Sequence, residues 1–422
     1  MRVDLKAFLI FVFFIIGASV SSVLSSFSLF GSGILISSAV LVFGRRIGAT
    51  LLFAFVLLGV FLLGSFYFNL RETFSSPASY DKSRAVITSF PERRESAQRF
   101  EVKTEEGGRV LISTRLYPSF RYGDMVVFSG DSARGTDGKD RVFFPDISLD
   151  SRGHGNKINS LLFSFREKLV GNLKYALPPS SSALAAGILF GDQSGFTPEM
   201  WESFRETGTT HIVALSGFNI GVIALCVSWL FCLISRKAGI IASGIAVTLF
   251  VIMAGAGASA VRAAIMGMII VLGRGMGRGP SMRNIIAFAA LVMVIADPGV
   301  VVFDIGFELS FAAVLGIIYL APAIGQLFRW ERGNELRDIC VDTASAEIAV
   351  MPIILLRFGE MSWYSFFTNI AVVFTVPLAM GLGFIVAVIG DCLGPLSVSV
   401  AVLADIILQY ELKTIDIFAG IF

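Results

Sequence analysis

Histidine is nearly missing from this chain, with two in 422 residues, and cysteine is scarce, with four. Cys226, Cys232, Cys340 and Cys392 lie in or beside apolar segments without CxxC spacing. They read as packed free thiols, so neither a structural zinc site nor a disulfide framework is expected. Charge is scarce as well: 16% of residues are charged, where an ordinary soluble domain carries about a quarter. No P-loop or other ATPase motif occurs. Apolar residues take the place of charge. They make up 55% of the chain, and phenylalanine, at 39, outnumbers lysine and arginine together at 34. That inventory cannot cover a surface facing water, which excludes a soluble enzyme, a disulfide-stapled scaffold and a disordered tail. A net charge of +2 implies no polyanionic partner by its sum, so its distribution carries the argument.

The uncharged stretch 7–43 is too long for one span and fits a helical hairpin turning near residues 21–26. A third span follows at about 49–68. Arg2, Lys6, Arg45 and Arg46 flank the hairpin, and the positive-inside rule puts them in the cytoplasm and the next segment outside. A signal peptide fits less well, because apolar sequence continues past Val20 without an A-x-A-like site. Residues 71–156 change character: acids and bases nearly balance, and short alternating runs begin at Arg84, Arg99, Val110 and Met125. Gly107-Gly108 and Tyr122-Gly123 punctuate them as turns. These features predict a small, barrel-like all-β domain held outside the membrane.

From Lys157 to Leu177 the period becomes helical, with Ile158, Leu161, Leu162, Phe165, Leu169, Leu173 and Leu177 on one face. Lys157, Arg166, Lys168 and Lys174, with Glu167, are expected on the other, giving an amphipathic helix stopped by Pro178-Pro179. A second short helix starts at Thr197-Pro198, with Phe196 stapled to Trp201, and ends near Gly208. Apolar spans then alternate with basic loops at 235–237, 274–283 and 329–337. Successive spans place all three loops in the cytoplasm and the C-terminus outside. The expected fold class is a polytopic α-helical membrane protein of about eleven spans with an inserted extracytoplasmic all-β domain. Its parts are N-terminal spans at 1–70, the β domain at 71–156, amphipathic and short interfacial helices at 157–210, and a transmembrane domain at 211–422.

Polar groups inside apolar spans mark a pathway or a structural pair. His211, Ser216 and Asn219 stand where the short helix joins a span; His211 suits a phosphate contact or a capping role, and one histidine is not a metal site. Positions 255, 259, 263 and 267 form a ladder of small residues for close helix packing, and Arg262 beside it faces a phosphate or a buried carboxylate. Asp304 and Glu308, four apart and near Ser310, share a helix face as general acid/base groups or as partners of an arginine. Glu347 lies in another apolar stretch, five residues before Pro352, which is expected to interrupt its helix. In the β domain Arg84, Arg93, Arg94, Arg99, Lys103, Arg109, Arg115 and Arg121 interleave with Phe100, Tyr117, Phe120 and Tyr122. Basic grooves with aromatic platforms hold single strands; an ordinary solvated surface has the same composition.

Several of these stretches together resemble the ComEC competence family, the membrane channel of bacterial natural transformation. The similarity runs through Ala183-Leu-Ala-Ala-Gly-Ile-Leu-Phe-Gly191-Asp-Gln-Ser194, Phe204-Arg-Glu-Thr-Gly-Thr-Thr-His211 to Ser216-Gly217, Arg262-Ala-Ala-Ile-Met266, Asp297-Pro-Gly299 with Asp304 to Ser310, and Met351-Pro352 with Phe358 to Ser362. The resemblance implies that the β domain is OB-like and that the chain conducts one DNA strand through the inner membrane. His211, Ser216, Asn219, Arg262, Asp304, Glu308, Ser310 and Glu347 would then line or orient the path, with no cofactor or metal. Implied partners are single-stranded DNA, the lipid bilayer, a DNA receptor and a cytoplasmic helicase or ATPase, with a separate nuclease and a second copy of the chain as further candidates. This chain has Asn219 where the family often has histidine. It contains no His-x-His-x-Asp-His run of the metallo-β-lactamase-like domain found in many members, so nuclease activity is not expected of it. Two rival readings use the same polar residues. One is a solute transporter. The other is an intramembrane hydrolase or transferase with His211, Ser216 and Asp304 or Glu308 as base, nucleophile and acid.

Overall fold

The computed structural model describes residues 79–422, apart from 95–96, 135–139, 214, 216, 276–281, 297–299, 328–334, 360–361, 363, 391–394 and 421–422, with a few isolated positions nearer the N-terminus. The expected N-terminal hairpin, the third span and Asp297-Pro-Gly299 lie outside the described residues. Two compact units emerge: one holds residues 79–132, 141–264 and 309–420, and the other includes 265–308.

The first unit opens with a β-sheet. Its strands are β1 (Ser79–Ile87), β2 (Glu92–Arg94), β3 (Ala97–Thr104), β4 (Arg109–Arg115), β5 (Met125–Asp131), β6 (Ala133–Arg134), β7 (Asp140–Phe143) and β8 (Asp146–Ser151). The order β7-β4-β3-β1-β5-β8, with β2 on β3, places β1 and β3 centrally. Alternation explains the core. Gln98, Phe100, Val102 and Thr104 of β3 point inward with Val110 and Ile112 of β4 and Ala85 and Ile87 of β1, while every intervening residue points out. Each large apolar side chain sealed there contributes roughly 1.5–3 kcal/mol. The four longer predicted strands are present; the short β2 and β6 to β8 carry too few apolar residues to signal themselves.

Helix α1 (Lys157–Ala176) follows, capped by the Asn156 side chain on the Ile158 N–H. Its apolar residues divide between two faces. Phe163, Leu169, Val170 and Leu173 are buried, whereas Ile158, Leu161 and Phe165 are exposed. Arg166, expected on the charged face, sits in the buried stripe at 4% exposure. Helix α2 (Pro179–Phe190) then begins at the proline pair that ends α1 and is buried from Ser181 to Phe190, as a helix apolar all round must be. Around it pack α1, α3 (Pro198–Glu206), α4 (Thr210–Val213), and the later α14 (Val376–Ile389) and α15 (Pro395–Ala419). The Phe196–Trp201 staple and the Thr197 cap occur as expected.

Helices α5 (Gly217–Cys232) and α6 (Arg236–Met253) form an antiparallel pair, tied by the Ser243 hydroxyl donating to the Ala224 carbonyl at 2.9 Å. Helix α7 (Ala258–Gly275) starts three residues after Gly255, which occupies a left-handed turn at φ +92°, so the small-residue ladder lacks its first rung. Helices α8 (Met282–Ala296), α9 (Val300–Phe303), α10 (Ile305–Tyr319), α11 (Ala321–Leu327), α12 (Glu335–Phe358) and α13 (Ser365–Val373) complete the series. Pro352 lies inside α12 without ending it. The bends fall elsewhere, 51° between α10 and α11 and 48° between α13 and α14, each beside a proline in the first turn of the second helix.

Among the described residues two helices, Arg236–Met253 and Arg337–Phe358, are long and apolar enough to cross a membrane, or up to four spans if each bent pair counts as one. Four shorter apolar helices accompany them. Trp229, Leu233 and Ile234 stand fully in the open, which suits acyl chains and not water. Among the described residues the molecule is mostly helical with one β-sheet, and its apolar helices are those of a membrane protein.

The turn at Tyr122 is fitted to the start of α1 by two glycines: a Cβ at Gly155 would meet the Tyr122 ring at 2.5 Å and Gly123 Cα at 2.9 Å. Gly155→Ala is therefore expected to lose roughly 1–3 kcal/mol. Gly171→Ala, on α1 with nothing within 4 Å of its new methyl, should gain up to about 1 kcal/mol. Thermal unfolding in detergent measures both, and equal midpoints for the two variants would contradict the packing described.

Candidate nucleic-acid interface

Strand register brings most of the predicted basic residues of the sheet onto one outer face. Lys103 on β3 lies opposite Val86 on β1 and Arg109 on β4, Arg99 lies opposite Ser113, and Arg115 lies opposite Ala97. Arg84, Lys103, Arg109 and Arg115 are exposed and Arg99 is half-buried, its Nε 3.5 Å from Ser113 Oγ. Like charges directly opposite one another destabilise a sheet, so the Lys103–Arg109 pair is no stability device. Glu101 interrupts the stripe, and Arg84 Nε lies 3.8 Å from Asp150. The backbone of Arg93 and Arg94 forms β2; their side chains lie outside the described residues.

The four aromatics expected as platforms part company, with Phe100 and Phe120 both buried. Phe100 is 1% exposed and packs edge-on to Phe120 at 5.6 Å in the sheet core, so it has no free face for a base. Tyr117 is 83% exposed. Its loop is held from below by Gln98, buried at 0%, whose Nε2 donates to the Arg115 carbonyl at 2.7 Å and the Pro118 carbonyl at 2.6 Å, while Oε1 accepts from the Phe120 N–H at 3.2 Å.

Two hollows adjoin this sheet and share Tyr122. The smaller, about 380 Å³, takes in Arg84 and Lys103 of the basic face. The larger, about 570 Å³, lies between the sheet, α1 and the segment after α2. Tyr122 packs edge-on to Phe163 at 4.9 Å, and its hydroxyl accepts from the Asn156 N–H and the Asn159 amide. In the larger cleft Arg166 lies 4.2 Å above the Phe90 ring. Its Nε has no hydrogen-bond partner, and no carboxylate among the described residues is in ion-pair contact with it. Burial lowers the pKa of this guanidinium, opposed by Asp192 first and then Glu92 and Glu167 at longer range. The sequence reading missed Arg166 as a functional residue. Its signal was the spacing Phe163, Arg166, Val170, Leu173, Leu177, a three-four repeat that puts it in the inward stripe.

The polar residues of the helical part are mostly committed to local structure. His211 on α4 has Nδ1 3.1 Å from the Gly208 carbonyl, next to the hydroxyl pair Thr207–Thr209 at 2.9 Å. Asn219 is buried and donates its amide to the Ile188 carbonyl at 2.9 Å, tying α5 to α2. Ser216 lies outside the described residues. Arg262 is 5% exposed on α7. Asp304 caps α10 through the Phe307 N–H at 3.2 Å, with Glu308 and Ser310 half-buried in its first turns. Glu347 on α12 accepts from the Asn369 amide on α13 at 2.7 Å. No group of three or more metal-ligating side chains occurs among the described residues.

The C-terminal part decides the relationship. A family model described as Competence protein matches residues 188–421, more than half of the chain. The chain belongs to the Competence protein family. ComE operon protein 3 of Bacillus subtilis (strain 168) is 24% identical over 214 residues, 50% of this chain and 27% of that protein. Competence protein ComA of Neisseria gonorrhoeae is 26% identical over 253 residues, 55% and 35% of the two lengths. The matched stretch thus spans about a third or less of either relative. No solved structure matches the chain. The Gly191-Asp192-Gln193-Ser194 stretch, within the family match, lines the larger cleft.

Replacing Gln98 by leucine leaves the buried Phe120 N–H without an acceptor, at about 1–3 kcal/mol, and removes the donor to two part-buried carbonyls. The thermal midpoint should fall and limited proteolysis should cut between residues 115 and 120. A variant as stable and as protease-resistant as the wild type would contradict this role.

Proposed function

We propose that the protein carries single-stranded DNA across the cytoplasmic membrane during natural transformation, and the observation that carries this reading is the Competence-family match over residues 188–421. The basic outer face of the sheet supplies physical means: phosphates seek cations, and Arg84, Lys103, Arg109 and Arg115 are exposed on it. About eleven spans, an OB-like β domain outside the cell and the inner membrane as the location complete the proposal. Conduction is favoured over catalysis because His211 faces a backbone carbonyl and Asp304 caps a helix. A cytoplasmic helicase or ATPase, a DNA receptor and a separate nuclease are the proposed partners.

Uptake of fluorescent single-stranded DNA into proteoliposomes tests the reading. Wild type should admit the strand, and Arg262→Gln should reduce uptake at least tenfold if the buried guanidinium meets phosphates. Folded wild-type protein that admits small solutes and no DNA under a gradient would sink the proposal. Orientation has its own check in cells carrying cysteine-free variants. Cysteine at Lys103 should react with a membrane-impermeant maleimide from outside, and cysteine at Lys237 should not; the reverse pattern overturns the topology.

A further inference from the structure

We propose that the cleft around Arg166 is a phosphodiester site through which a DNA strand passes from the sheet to the helices; the proposal rests on the strand-transport reading above. An arginine 4% exposed needs a reason. Guanidinium groups at that depth are ordinarily paired, because an uncompensated buried charge costs several kcal/mol. Arg166 instead has a ring face at 4.2 Å and a Nε with no hydrogen-bond partner, and it lines an open cleft of about 570 Å³. A planar guanidinium prepositioned on an aromatic ring presents a fixed fork to a phosphate.

The cleft chemistry narrows the ligand. Arg121 and Lys174 add positive charge, but Glu92, Glu167 and Asp192 line the same space and balance it. A site balanced in this way does not collect anions at large. It suits a single monoanionic phosphate placed by Arg166, with hydroxyls and an amide from Ser160, Ser164, Ser194 and Gln193 for the remaining oxygens and the sugar. Those hydroxyls and the amide suit the oxygens of a nucleotide backbone, and Phe90, Phe163 and Leu215 on the same walls offer faces to a base. Position points the same way. Tyr122 lines this cleft and also the hollow that contains Arg84 and Lys103, so the two hollows meet at one side chain, with the basic face on one side of it and Arg166 on the other. The acids keep the hold on each phosphate weak, as transit requires.

The test uses the full chain in phosphatidylcholine nanodiscs and a fluorescein-labelled oligo(dT), read by anisotropy over a series of salt concentrations. Arg166→Gln should weaken binding about tenfold or more and reduce the logarithmic salt slope by about 0.7, the loss of one phosphate contact on a single strand. Arg166→Lys should restore the slope and only part of the affinity. Ser164 is exposed on the cleft wall and outside the core, so its variants read the site without disturbing the fold. Ser164→Glu should weaken binding several-fold, and Ser164→Lys should tighten it. Unchanged affinity and slope in folded Arg166→Gln, or no response to charge at Ser164, would overturn the cleft while leaving the transport reading intact. Wild type that binds no oligonucleotide would fail that reading, and the cleft proposal with it. Charge changes at Ser164 that alter binding to phosphatidylglycerol vesicles but not to the oligonucleotide would reassign the site to a lipid headgroup.

Discussion

A buried guanidinium is among the most expensive groups a protein can carry, and the junction between sheet and helices is built around one. Arg166 projects from α1 onto Phe90 next to the sheet, and Phe163 from the same helix packs against both Phe90 and Tyr122. The rings fix α1 to the sheet; Gly123 and Gly155 allow the backbone close enough for that to happen. With α1 fixed, its other buried residues, Leu169, Val170 and Leu173, join the core around α2, and the C-terminal helices pack on the same core. The sheet and the helices packed around α2 are therefore parts of one unit, joined across a cleft of mixed polar and apolar lining.

The helical core economises on polar groups, using each as a clamp. Asn172 donates to the Ala387 carbonyl, Ser181 donates to Asp405 at 2.5 Å, Gln409 donates to Ser180 and Ser181, and Asn219 donates to the Ile188 carbonyl. Thr375 donates to a carboxylate oxygen of Glu411, which is completely buried. In a bundle without water each such bond replaces a hydration shell, so the few polar residues of this apolar chain are mostly structural. Against that background Arg166 is conspicuous, because it lines open space and clamps nothing by hydrogen bonds.

Much of this was legible in the amino-acid order, and the misreadings have physical causes. Strict alternation located the four main strands. Applied to β3, the same alternation places Phe100 in phase with buried Gln98 and Val102, so counting it as a stacking platform ignored the pleat. Arg166 had the spacing of a core residue and was assigned to solvent because arginine is ordinarily solvated. The ladder beginning at Gly255 presumed a helix that Gly-Ala-Gly does not start, and Pro352 was expected to break a helix that continues through it. What no local pattern could give is which distant segments share a space: that residues 191–194 face Arg166 follows only from the way α2 is enclosed.

The most direct measurement is ultraviolet cross-linking of a bromodeoxyuridine-substituted single strand to the full-length protein, followed by mapping of the joined peptides. The account predicts adducts at Tyr117 and Tyr122 and in the segments lining the Arg166 cleft, residues 160–174 and 191–194. Adducts confined to other surfaces, with those segments unmodified, would contradict it.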